Sequence, residues 1–179
     1  MIRSTSLAGV CLLLLLLSSA CSKPAENSAV APPAPGATPA RERVTSESVV
    51  NVAVPAVDLP AGGSTEAVVT ITIKSGYHTN ANPPTYSYLK ATELAVTSAD
   101  GVSADPIMYP PATVKQFPFA EKPLAVYEGE TTLKTKLKAD KTARPGQRSL
   151  SALLRIQACD DQVCYSPGKL EVAIPVNVK

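Results

Sequence analysis

Reactive side chains are scarce in this chain: 179 residues carry one histidine and four cysteines. A zinc site needs four protein ligands, or three and a water. No His-x-x-x-His motif and no second closely spaced cysteine pair is present to supply them, so no metal is expected. The one histidine, His78, lies in Gly76-Tyr77-His78-Thr79-Asn80 and reads as a loop residue after a strand. No serine motif or paired acid accompanies it, which leaves hydrolysis without support. Charge of one sign is also lacking. The net charge is +2 with acids and bases interspersed, too weak a footprint for nucleic acid. No stretch repeats with a helical period. Beyond the N-terminus no run is apolar enough to cross a membrane.

The N-terminus is the exception to this even polarity. Arg3 precedes an apolar core from Leu7 to Leu17, with six consecutive leucines from Leu12. The run is too short for a permanent span. It is followed by the small residues Ser18-Ser19-Ala20 and then Cys21, so residues 1–20 read as a signal peptide. With Cys21 directly after the small residues, the stretch resembles a bacterial lipoprotein signal. That resemblance implies lipidation of Cys21 and a membrane anchor, and Ser22 favours the outer membrane. Cys11 leaves with the signal. Cys159 and Cys164 then remain as a pair in an oxidising compartment, where disulfides persist.

Residues 21–43 form a lipid-anchored linker rich in Ala and Pro, including Ala31-Pro32-Pro33-Ala34-Pro35. Such a composition buries no core and stays extended and disordered. At about 3.1 Å per residue it would reach roughly 70 Å.

Residues 44–179 change character. Val69, Ile71 and Ile73 alternate with polar residues, as do Thr131, Leu133, Thr135 and Leu137. Leu150, Ala152, Leu154, Ile156 and Ala158 share a face, and so do Leu170, Val172, Ile174, Val176 and Val178. Period-two alternation means strands with one wet and one buried side. Turn signals at Pro60-Ala61-Gly62-Gly63, Asp100-Gly101, Pro110-Pro111 and Pro145-Gly146 separate them. The expected fold is all-β: an antiparallel β-sandwich of about seven or eight strands. Pro175 places the last strand at an edge or beside a free stretch. Lys134, Lys136, Lys138 and Lys141 read as a solvated face, with a docking patch for an acidic partner as the other reading.

Between the last two of these strands lies Cys159-Asp160-Asp161-Gln162-Val163-Cys164-Tyr165-Ser166-Pro167. Four intervening residues let the chain reverse, and a bridge forms if the Cα atoms approach within about 4.4–6.8 Å. As a staple, so short a loop contributes only roughly 2 kcal/mol. Asp160 and Asp161 put negative charge beside the sulfurs, which disfavours the thiolate. Redox exchange with a docking partner and a merely structural disulfide both remain open on these residues. No cofactor is expected.

The run Gln157 to Pro167, with the strand that follows, resembles the N-terminal periplasmic domain of the thiol:disulfide interchange protein DsbD, the disulfide bond corrector family. Ser75-Gly76-Tyr77-His78-Thr79-Asn80-Ala81-Asn82 is similar to that family's glycine-aromatic turn. The segment Tyr109 to Gly129 is similar to its proline- and aromatic-rich middle loop. The resemblance covers residues 44–179 and implies an immunoglobulin-like sandwich. It implies that Cys164 forms a mixed disulfide with a partner and that Cys159 resolves it, with Tyr165, Asp160, Asp161, Tyr77 and His78 as neighbours. It further implies a phenylalanine lid over the pair, with Phe119 the better candidate and Phe117 the alternative. The implied partners are thioredoxin-like periplasmic proteins or a separate membrane electron carrier, in disulfide correction and cytochrome c biogenesis. Electrons are expected from a separate protein, because no membrane channel follows the domain in this sequence. The alternative function is a non-catalytic immunoglobulin-like binding or assembly lipoprotein with a structural disulfide.

Overall fold

The computed structural model describes residues 43–179, so the signal peptide, Cys11, Cys21 and the linker to residue 42 lie outside the described residues. A single 3-10 turn, Glu47–Val49, precedes twelve strands. Two four-stranded sheets face each other. In the first, β3 (Ser64–Ile73) and β9 (Glu130–Ala139) run antiparallel between β1 (Val50–Ala53) and β6 (Val102–Ala104). In the second, β10 (Gly146–Ile156) and β12 (Gly168–Val178) pair antiparallel over their whole length, flanked by β5 (Glu93–Val96) and β2 (Val57–Leu59).

The alternation in sequence becomes burial. Val69, Ile71, Leu133 and Leu137 from the first sheet, and Leu150, Leu154, Ile156 and Ile174 from the second, share one core. Each such side chain stabilises the fold by about 1.5–3 kcal/mol through loss of apolar contact with water. The opposite face of β9 is wet. There Lys134 pairs with Glu66 at 2.9 Å and Lys138 pairs with Asp105.

Two details differ from the simplest reading of the sequence. One ladder is parallel: β2 runs alongside Val176–Val178 of β12. The missing N–H of Pro175 is thereby accommodated, because that ladder begins one residue later, at Val176. The strand count also exceeds the expected seven or eight. The surplus lies in strands of two to four residues, several of them in a third sheet at one end.

That third sheet has the order β11 (Ala158–Cys159), β4 (His78–Asn80), β8 (Leu124–Tyr127) and β7 (Thr113–Lys115). It joins the paths of the other two sheets. The chain of β3 turns at Gly76, whose φ of +83° suits glycine, and re-enters as β4. The chain of β10 breaks at Gln157 and re-enters as β11. A second apolar cluster of Phe117, Leu124 and Val126 sits here, with Tyr86, Leu89 and Ala120 packed against it.

Candidate functional site

The cysteine pair closes a hairpin at this third sheet. Asp160 N–H donates to the Val163 carbonyl at 3.0 Å, and Tyr165 N–H donates to the Ala158 carbonyl at 2.8 Å. These two bonds bracket Cys159 and Cys164, which makes them a non-hydrogen-bonded antiparallel pair, the type in which opposed Cα atoms come closest. Their Cα atoms are 3.9 Å apart, closer than the range of about 4.4–6.8 Å anticipated for a bridge, and the sulfurs are bonded.

Asp160 organises the turn. Its Oδ1 accepts from the N–H groups of Gln162 and Val163, both at 2.8 Å. Its Oδ2 accepts the Tyr165 hydroxyl at 2.6 Å. These bonds, led by the Tyr165 hydroxyl, hold the Asp160 carboxyl below its ordinary value. The same contact pushes the Tyr165 phenol up to about 12. An ionised carboxylate therefore stays next to the sulfurs. Tyr77 lies against Tyr165, ring centroids 6.0 Å apart and tilted. Asp161 is exposed.

Residues far off in sequence fasten both ends of the hairpin. The buried Ser46 hydroxyl donates to the Ser166 carbonyl at 2.6 Å and accepts from Ala158 N–H at 3.0 Å. Gln157 donates to the Tyr165 carbonyl at 3.2 Å, while its Oε1 accepts from Asn80 Nδ2 at 3.2 Å and from Lys90 N–H at 3.1 Å. Nothing in the sequence points to this fastening role for Ser46, Gln157 or Asn80.

The two sulfurs differ in access. Cys159 is fully buried, with 0% of its surface exposed. Cys164 is half-buried and lines a cleft of about 670 Å³ shared with Tyr86, Tyr88, Leu89, Phe119 and Val163. Tyr86 and Tyr88 stack at 5.1 Å, and Tyr88, Phe119 and Val163 are exposed. The two tyrosines are not among the site residues expected from sequence. Their signal was present: two aromatics one residue apart in Pro83-Pro84-Thr85-Tyr86-Ser87-Tyr88.

Both candidate lid residues belong to one column of rings. His78 is the cross-strand partner of Cys159. Phe117 stacks on His78 with centroids 4.0 Å apart, and Phe119 stacks on Phe117 at 5.5 Å. Phe117 is buried, whereas Phe119 is 40% exposed and borders the Cys164 cleft. Lys115 Nζ lies 5.3 Å from the Phe117 ring centre and bonds Glu128 at 2.8 Å. His78 is not the loop residue expected from sequence: it is buried within β4, and its Nε2 has no hydrogen-bond partner. Among the described residues, no cluster of three or more His, Cys, Asp or Glu side chains could hold a metal ion.

The model of the family described as thiol:disulfide interchange protein DsbD, N-terminal, matches residues 46–175. The chain belongs to that family. The matched span takes in both cysteines, the ring column and both faces of the sandwich. No curated protein matches the sequence. Among solved structures, the N-terminal periplasmic domain of ScsB from Proteus mirabilis is similar at 15% identity and a TM-score of 0.46, covering 72% of this chain. This chain spans 45% of that one. A family 123 glycoside hydrolase from Clostridium perfringens is similar at 10% identity and a TM-score of 0.34, over 73% of this chain and 27% of that one. AggA, the major fimbrial subunit from Escherichia coli, is similar at 10% identity and a TM-score of 0.32, over 77% and 99%.

Proposed function

We propose that this domain relays thiol–disulfide exchange outside the cytoplasm, with Cys164 as the sulfur that meets partners and Cys159 as the one that resolves them. The unequal burial of the two sulfurs carries this reading. A partner thiolate approaching through the aromatic-lined cleft reaches Cys164, while Cys159 has no exposed surface. Attack forms a bond from the partner sulfur to Cys164 and releases Cys159 with the electron pair of the broken bond. In the reverse sense Cys159 attacks Cys164 and expels the partner.

The hydrogen bonds of the turn favour exchange over a staple. Asp160, Ser46 and Gln157 hold the hairpin by contacts that do not involve sulfur, so the dithiol keeps its shape and the bridge can reclose. Phe119 serves as the lid: it borders the cleft, rests on a buried ring and can swing aside when a partner docks. The partners in this reading are thioredoxin-like proteins or a separate membrane electron carrier. The export signal read at residues 1–20 and the family assignment support a periplasmic location, with an anchor through a lipidated Cys21 in the outer membrane.

The test is trapping on non-reducing gels. Cys159→Ser leaves Cys164 able to attack but removes the resolving sulfur, so mixed disulfides accumulate. Cys164→Ser accumulates none. A Cys159→Ser protein that never traps a partner supports the alternative, a binding or assembly lipoprotein with a structural disulfide.

A further inference from the structure

Resting on the exchange reading above, we propose that His78 carries the proton of Cys159: its imidazole takes that proton as Cys159 resolves a mixed disulfide and returns it when Cys159 is the leaving group.

The need follows from burial. Cys159 has no exposed surface, and a thiolate without water around it is disfavoured. Its proton must pass to a group inside the fold. The cross-strand register supplies one. Cys159 and His78 are direct antiparallel partners, so their side chains project from the same face, with Cβ atoms about 4.5–5.5 Å apart in such pairs. The imidazole is itself buried, and its Nε2 lacks any partner. A buried polar atom without a partner is unfavourable, and here it leaves a ring nitrogen free to accept a proton on the side of the sulfurs' sheet.

The surroundings suit a base. Burial, the largest influence, holds the imidazole below its ordinary value, so it is neutral and able to accept. The charged groups facing it are Glu128, Lys115, Asp161 and Asp160. The three carboxylates favour its protonated form and Lys115 opposes it. His78 also borders a second cleft, lined by Lys74, Tyr77, Lys115, Glu128 and Asp161, which gives the proton a route to solvent. Phe117 covers one face of the ring.

The step balances. Cys159 S–H loses its proton to His78, and the sulfur lone pair attacks Sγ of Cys164. The Cys159–Cys164 bond forms as the bond from Cys164 to the partner breaks. The partner leaves as a thiolate, and the imidazolium yields its proton through the cleft.

The probe is an aromatic disulfide, dithiobis(nitrobenzoate), added to the reduced full chain. Attack by Cys164 releases one coloured thiolate, and resolution by Cys159 releases a second. In His78→Phe the ratio of the second rate to the first is expected to fall about 100-fold at neutral pH, in the range of general base catalysis. The deficit closes in alkali, where the thiol ionises unaided. A ratio and pH profile equal to the native protein's overturn the proposal. A readout without mutation guards against a variant that fails to fold. His78 is the one histidine of the chain, so its ring signals in magnetic resonance are unambiguous. Their titration midpoint is expected to differ between disulfide and dithiol, and coincident curves overturn the proposal. A native protein that gives no second release sinks the exchange reading itself, which separates the two failures.

Discussion

The carboxylate of Asp160 holds the hydroxyl of Tyr165 at 2.6 Å across the mouth of the cysteine hairpin, and its other oxygen caps the turn amides. The bond shifts both groups in opposite directions. Asp160 has a lowered folded-state value, so its contribution is present above the ordinary carboxylate range and is lost as pH falls through that lowered value. Tyr165 is raised to about 12, so its contribution is complete below the ordinary phenol range and is lost as pH rises through about 12.

Hydrogen exchange at the Gln162 and Val163 amides is therefore expected to be protected evenly from about pH 5 to 9, after correction for intrinsic rates, and to weaken on both sides. Asp160→Ala should return the Tyr165 phenol toward its ordinary range, read as an absorbance difference titration, and cost about 1–2 kcal/mol in urea. An unchanged phenol titration contradicts the assigned bond.

Ser46 ties the first residues of the domain to the site. Ser46→Ala removes one hydroxyl and strands Ala158 N–H and the Ser166 carbonyl. The expected cost is about 1–3 kcal/mol, with faster amide exchange concentrated at Ala158. Equal loosening throughout the sandwich would contradict a local staple.

The two phenylalanines should separate cleanly. Phe117 is buried against Leu124 and Val126, so Phe117→Ala is expected to cost about 3–5 kcal/mol. Phe119 is 40% exposed, and Phe119→Ala should cost under about 1 kcal/mol while speeding reduction of the disulfide by a small thiol severalfold. A rate unchanged in Phe119→Ala contradicts a lid at this position.

The long strands were legible because alternation over ten or more residues leaves one assignment of faces. Thr131, Leu133, Thr135 and Leu137 alternate with polar residues in sequence, and all four are buried. Strands of two to four residues, such as β4, β7, β8 and β11, are too short for a period to show. The apolar alternation from Leu150 runs through Ala158 without a break, yet the chain changes sheets at Gln157. The cause is polar: Gln157 binds Asn80, Lys90 and Tyr165, groups that only the fold brings near. In sequence Asp160 is a charge beside the sulfurs. Its position at the first residue of a tight turn also suits an aspartate that caps its own turn amides. Ser46 had no local signal at all, since it acts on residues 112 and 120 positions away.

In the proposed relay the bridge between Cys159 and Cys164 opens and recloses in the folded protein. Its most direct test is the equilibrium reduction potential of the native domain in graded thiol buffers, with folding followed in the same samples. A bridge that exchanges is expected at a potential above about −300 mV, reached reversibly while the sandwich stays folded. A value well below about −300 mV, or reduction only on unfolding, contradicts it.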